Sequence, residues 1–130
     1  MEISSFKFDT PMLKKLEFLE NPNFNIEGNL EVESNFEIEI DKIDNFEAVV
    51  TLNLSLNNKE NLKEQNPFFL NISMSSIFNW EDVEDEEVVD TLLSQNAPAL
   101  IIGFLRPIVS NITNASVFPP YNIPFIDFTK

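Results

Sequence analysis

The chain has 130 residues, the size of one domain, and its 43% hydrophobic content is ordinary for a globular protein. Twenty-two acidic residues face eight basic ones, and this net charge of −14 argues against binding to nucleic-acid phosphates or to an anionic membrane. The chain has no Cys and no His, which excludes disulfides, thiolate nucleophiles, imidazole bases and the usual zinc sites. We therefore expect one domain over residues 1–130 that is not an enzyme, holds no cofactor or metal, and binds no nucleic acid.

The location of the protein is also suggested by its sequence. The first residues lack the basic and apolar regions of a signal peptide. The longest uninterrupted apolar stretch, residues 97–105, is shorter than a membrane span. We expect a cytoplasmic protein without membrane insertion.

The first half of the chain has the patterns of β-strands. Residues 5–20 predict a strand that is broken at Thr10-Pro11, because proline lacks the N–H that a sheet ladder needs. Residues 29–41 alternate apolar and polar, mostly acidic, side chains, which is typical of a strand with one buried face. Residues 46–56 alternate in the same way, and residues 68–78 complete a set of four predicted strands.

In the second half of the chain the apolar residues recur with the period of helices. Residues 80–95 begin with a run of acids, which favours a helix N-terminus, and Asn79 is the predicted cap. A longer helix is predicted over residues 98–115, with a kink at Pro107. Residues 117–128 contain three prolines and are expected to be extended. Strands followed by helices indicate an α+β fold.

The last third of the chain resembles the SecB family of export chaperones. The shared elements are a short helix, a proline, a long helix with an aromatic-x-Arg motif, a Phe-Pro pair and a C-terminal acid-Phe pair. A strand followed by Ile-Phe matches the third strand of that family. In this sequence these elements are Pro98, Phe104-Leu105-Arg106, Phe118-Pro119, Asp127-Phe128, Phe69-Leu70-Asn71-Ile72 and Ile77-Phe78.

Membership of this family implies a four-stranded antiparallel sheet with two helices packed on one face. It also implies an ATP-independent holdase, a chaperone whose apolar groove binds unfolded polypeptides or preproteins for export. The composition agrees, because it combines many aromatic residues with a strong negative charge that keeps apolar surface soluble. Two alternatives stay open: a SecB-like chaperone that guards an antitoxin, and a carrier that encloses a small hydrophobic ligand.

The resemblance also implies two sets of site residues. Leu30 and Val32 align with the strand that floors the groove of the family. A docking surface for a SecA-type ATPase is predicted at Glu17, Glu20 and Asn71, the last standing where the family has an acid. The predicted peptide-binding residues are Phe18, Phe24, Ile26, Leu30, Val32, Phe118 and Tyr121.

Self-association is expected from the apolar second half. Between residues 91 and 126 the only charged residue is Arg106, which is expected to pair with a carboxylate. This is more apolar surface than one small sheet face can cover. The sequence therefore predicts a homodimer or homotetramer, in keeping with the dimers that pair into tetramers in the SecB family.

Overall fold

The computed structural model describes residues 4–24, 32–60, 62, 66–82 and 84–129. Within these residues the strands are β1 (Lys7–Phe8), β2 (Met12–Glu20), β3 (Ser34–Asp44), β4 (Glu47–Leu56) and β5 (Phe68–Asn79). They form one sheet with the order β3, β4, β5, and both β1 and β2 pair with the other side of β5. Every pairing is antiparallel.

Alternation along the central strands builds the core. Every second residue of β4 is buried, and the residues between them are half-buried. Alternate residues of β5 lie on the same side of the sheet as this buried row, because antiparallel partners directly opposite each other share a face. The buried apolar residues of the two strands on that side are Ala48, Val50, Leu52, Leu54, Leu56, Phe68, Leu70, Ile72, Met74 and Phe78.

The prediction of four strands is wrong by one. The break expected at Thr10-Pro11 is present, and it divides the first segment into β1 and β2. Pro11 has no N–H to donate, and the chain leaves the ladder just before it. There the N–H of Asp9 donates to the Ile77 carbonyl at 2.9 Å, and the Ser76 hydroxyl donates to the Asp9 carbonyl at 2.5 Å. Both pieces still pair with β5, so the strand neighbours are unchanged.

The prediction of two separate helices is also wrong. The helices α1 (Glu86–Thr91) and α2 (Ala97–Asn114) are joined by a π-helical turn, Leu92–Asn96, into one continuous helix. In this turn the N–H of Ala97 donates to the carbonyl of Leu92, five residues back. The ring of Pro98 would collide with the carbonyl four residues back in a regular α-helix. The wider turn before it gives the ring room, so the helix does not break.

The helix begins later than predicted. Asn79, the expected cap, is the last residue of β5, and the N–H of Trp80 still donates to the Phe46 carbonyl at 3.1 Å. Asp85 is the N-cap, with its carboxylate accepting from the N–H of Glu87 at 2.9 Å. The acidic run contains several residues able to cap, and the length of β5 decides which one does.

The helix packs its apolar side against β4 and β5. Its buried residues recur four apart and belong to the same core cluster as the strands. Each fully buried Leu or Ile contributes about 1.5–3 kcal/mol. By length and composition Glu86–Asn114 is also long enough to cross a membrane, unlike the shorter stretch considered above, but its apolar side packs on the sheet. The buried row is Leu93, Ala97, Ile101, Leu105 and Val109.

The chain after α2 is extended, as its prolines predict. The Arg106 guanidinium donates to the carbonyl of Ile123 and, at 3.0 Å, to the carbonyl of Pro124. It also lies 5.9 Å from the ring centroid of Phe125. The expectation that Arg106 pairs with a carboxylate is therefore wrong, because the uncharged tail offers it backbone oxygens instead.

Candidate functional site

Four phenylalanine rings gather where β2 and β5 approach the C-terminal end of α2. The rings of Phe18 and Phe68 have centroids 5.4 Å apart. The ring of Phe118 lies 6.0 Å from that of Phe68 and 5.1 Å, edge to face, from that of Phe24. Such pairs contribute roughly 0.5–1.5 kcal/mol beyond the apolar area that they bury. We call these four residues the aromatic cluster.

An open cleft of about 450 Å³ lies beside the aromatic cluster. Phe18 and Ile112 of α2 both line it, and both residues are only half-buried. Glu20, an exposed acidic residue, lines it too. The cleft thus offers apolar contact beside a negative charge. Its lining residues are Phe18, Leu19, Glu20, Ile112, Ala115 and Ser116.

The structure brings together three of the seven predicted peptide-binding residues, namely Phe18, Phe24 and Phe118. Tyr121 is half-buried nearby in the chain, and its N–H donates to the Thr113 hydroxyl at 2.7 Å. Val32 is half-buried against the core. Ile26 and Leu30 lie outside the described residues.

Sequence reasoning missed Phe68 and Ile112. Phe68 is only 2% exposed and its ring contacts those of Phe18 and Phe118, so it supports these two half-buried rings. The signal that would have found it is strand register, because Glu20 lies directly opposite Phe68 on β5. Register across a long connection cannot be read from either strand alone.

The predicted docking residues lie on two faces of the sheet. Glu17 and Asn71 are directly opposite each other, on the face turned away from the helix. The Asn71 amide donates to the Ser55 hydroxyl at 2.8 Å and to the Asn53 side-chain oxygen at 3.3 Å. Glu20 points to the helix side, since its partner Phe68 is a core residue. Glu20 therefore belongs with the cleft.

Glu17 is ion-paired on the outer face of the sheet. Its carboxylate lies 2.5 Å from the Lys59 ammonium. The hydrogen bond and charge of Lys59, helped by the charge of Lys15, hold the pKa of Glu17 below its ordinary value. The Lys59 side chain is 54% exposed and the Glu17 side chain 31%, so solvent screens the pair and its contribution to stability is small.

The middle of the outer face carries a polar ladder between β4 and β5. The hydroxyls of Thr51 and Ser75 are 2.7 Å apart, and the Ser73 hydroxyl donates to Asn53 at 2.5 Å. These side chains satisfy one another across the strands. Among the described residues no group of three His, Cys, Asp or Glu is placed to hold a metal ion.

The flank of the sheet at β2 exposes apolar side chains. Leu13 and Leu16 are 47% and 43% exposed on the helix side, and Met12 and Leu19 are similarly exposed on the outer side. Among the described strands β2 pairs only with β5, which leaves its other edge open. Open, apolar strand edges are surfaces on which chains associate.

Comparison with known proteins shows which family and which relatives this chain matches. The family model described as Preprotein translocase subunit SecB matches residues 5–130. The chain is 36% identical over 83 residues to the Protein-export protein SecB of Roseobacter denitrificans, covering 64% of this chain and 48% of that protein. For the same-named protein of Dinoroseobacter shibae the identity is again 36% over 83 residues, with 64% and 46% covered. The matched region spans about half the length of these relatives.

Solved structures share the fold at low sequence identity. A SecB-like chaperone of Mycobacterium tuberculosis, in complex with a ChAD peptide from the HigA1 antitoxin, superposes with a TM-score of 0.74. It is 16% identical, and 94% of this chain and 91% of that one are covered. A protein of unknown function from Streptococcus agalactiae superposes with a TM-score of 0.58 at 11% identity, covering 95% and 100%. With a family match over nearly its whole length, this chain belongs to the SecB family.

Proposed function

We propose that this protein is an ATP-independent cytoplasmic chaperone that holds unfolded polypeptide or preprotein segments, in the service of protein export. The observation that carries the proposal is the aromatic cluster beside an open cleft, in a member of the SecB family. Half-buried aromatic rings give a large contact area with little rotamer entropy to lose. Such a surface binds many apolar sequences without reading one.

Charge completes the proposed mechanism. Glu20 at the cleft and the net charge of −14 attract segments that carry Lys or Arg. Long-range attraction of this kind raises the association rate more than the affinity. Apolar burial in the cleft then sets the dissociation rate. Basic, apolar, extended segments are the expected clients.

Guarding an antitoxin is the second candidate function. It is supported by the structural neighbour from Mycobacterium tuberculosis, which was solved with a peptide from an antitoxin. An antitoxin segment would use the same cleft as a preprotein. The two functions differ only in the client, so they are separated by measuring affinity for each class of peptide.

A carrier for a small hydrophobic ligand is less well supported. A carrier encloses its ligand and buries most of the ligand surface. The cleft beside the aromatic cluster is instead open to solvent. That shape suits a segment of a longer chain better than an enclosed small molecule.

A SecA-type ATPase remains a proposed partner, with Glu17 and Asn71 on the outer face as its docking residues. Neither presents a free negative charge, because Glu17 is paired with Lys59 and Asn71 is a neutral amide. We place Glu20 in the cleft rather than in this surface. Docking by charge on this face would therefore be weak.

We also propose that the chain forms a homodimer, or a homotetramer built from dimers, through the open edge of β2. Support comes from the exposed leucines on that strand. Around Leu16 the flanking residues are Lys15 and Glu17. An antiparallel copy centred on Leu16 would place each lysine opposite the glutamate of the other chain, which favours self-pairing.

The experiment is suppression of aggregation of an unfolded protein, with Phe18→Ala as the test variant. Phe46→Ala is the control, because Phe46 is an exposed ring in the β3–β4 turn, at the end of β4 away from the cleft. The first change is expected to weaken client binding about tenfold, and the second to leave it unchanged. If the unmodified protein fails to suppress aggregation at several-fold excess, the holdase function is wrong.

A further inference from the structure

We infer that residues 118–128, here called the strap, are a resident occupant of the client-binding surface and that a client must displace them to bind fully. The inference rests on the proposed function, and it describes the regulation of that same site. The strap is extended, apolar and uncharged from residue 118 to residue 126. It therefore has the character of the segments that the protein is proposed to hold.

Side chains of the helix contact the main chain of the strap. Arg106 donates to the carbonyls of Ile123 and Pro124, and the Thr113 hydroxyl accepts from the N–H of Tyr121 at 2.7 Å. The same hydroxyl donates to the carbonyl of Val109 at 2.9 Å, which leaves a lone pair for the strap. None of these contacts depends on the side chains of the strap. They would serve any extended chain.

The spacing of these contacts matches an extended peptide. Arg106 and Thr113 are seven residues apart, hence two turns of helix and about 10 Å along one face. An extended chain covers the three steps from Tyr121 to Pro124 in about 10 Å as well. The helix thus holds two donors on Arg106 and one acceptor on Thr113 at the repeat of an extended backbone.

The apolar contacts of the strap also coincide with the proposed client site. Phe118 fills the aromatic cluster between Phe24 and Phe68. Ile123 is only 4% exposed and belongs to the core cluster. A client that enters the cleft from the Phe18 side meets Phe118 next.

The strap is tied to the fold without taking part in the sheet. In the described part of the chain, no backbone–backbone hydrogen bond joins residues 118–128 to the sheet. Phe118, Tyr121, Ile126 and Phe128 are half-buried against the core, and Ile123 is buried in it. Displacement therefore breaks the contacts with Arg106 and Thr113 and exposes these apolar side chains, but it leaves every strand pairing intact.

If a client must displace the strap, weakening the strap should raise the affinity for the client. When a binding-competent state is only partly populated, the apparent Kd is raised by the reciprocal of that population. Ile123→Ala removes a buried anchor of the strap and no group of the helix that holds it, so it should tighten binding of an unfolded client peptide about tenfold.

A disulfide lock gives the opposite perturbation. The bond between the Tyr121 N–H and the Thr113 hydroxyl limits the separation of their Cα atoms to about 6.5 Å, within the range that a disulfide spans. The chain has no Cys, so Thr113→Cys with Tyr121→Cys can form only one intramolecular disulfide. The same variant in reduced form is its own control for the lost hydroxyl and the lost ring.

The test measures binding of a cysteine-free, basic and apolar peptide to the oxidised and reduced double variant and to Ile123→Ala. The expected result is at least tenfold weaker binding in the oxidised form, restored by reductant, with loss of hydrogen-exchange protection at the Tyr121 N–H of the unmodified protein when the peptide binds. Equal affinity in both forms, or unchanged protection, would overturn the displacement while leaving the chaperone function standing. No binding by the unmodified protein would overturn both.

Discussion

Asn57 links three segments near the cleft, and its replacement is predicted to be costly. The residue is 8% exposed and has a positive φ of 65°. Its side-chain oxygen accepts from the N–H of Glu33 at 2.9 Å, and its amide donates to the Phe68 carbonyl at 2.7 Å. Asn57 thus fastens the start of β3 and the start of β5 to the end of β4. Phe68, the buried member of the aromatic cluster, is held by this bond.

Two alternative substitutions separate the two roles of Asn57. Glycine removes both side-chain hydrogen bonds but accepts the positive φ, so Asn57→Gly should cost about 2 kcal/mol. Alanine loses the same bonds and adds about 1 kcal/mol of left-handed strain, so Asn57→Ala should cost about 3 kcal/mol. The difference of about 1 kcal/mol between the variants isolates the backbone term.

Urea unfolding at one fixed protein concentration measures both values, since self-association would otherwise shift the midpoint. The denaturant slope should be the same for the three proteins if the native fold is kept. Equal destabilisation by glycine and alanine would refute the argument from φ. A loss below about 1 kcal/mol in Asn57→Gly would refute the claim that these buried hydrogen bonds matter.

Three further predictions follow from the fold. Leu105→Ala in the helix should cost about 2–5 kcal/mol in the same unfolding experiment, because the side chain is completely buried, whereas Val88→Ala at an exposed helix position should change little. Leu13→Ser with Leu16→Ser should shift sedimentation toward monomer at micromolar concentration, while added salt should strengthen association of the unmodified, highly acidic chain; a double variant that sediments unchanged would exclude the β2 interface. The pKa of Glu17 is lowered in the folded protein, so the pair with Lys59 stabilises the fold above the ordinary glutamate pKa and loses its effect as pH falls through the folded value. In Lys59→Met the free energy of unfolding should no longer show this small decrease at acidic pH. If the pH dependence of unfolding is the same in both proteins, the pair contributes nothing measurable.

Local patterns were enough to predict most elements of this fold. Alternation with period two marked β3 and β4, and the missing N–H of Pro11 marked the break in the first strand. The four-residue repeat of apolar residues marked α2 as a helix with a wide apolar stripe. These signals are local, because they arise from side-chain direction and from single backbone hydrogen bonds. The SecB family was identifiable for the same reason, from motifs within the last third of the chain.

Tertiary structure alone decided the rest. The turn Leu92–Asn96 continues the helix into Pro98. Packing against the sheet stabilises an unbroken apolar face, and the local effect of a proline does not predict this packing. The length of β5 moved the helix cap from Asn79 to Asp85. Strand register placed Glu20 beside the cleft and Phe68 beneath it, since a shift of one residue would exchange the two faces of β2. Register depends on contacts between distant segments, and no single segment carries that information.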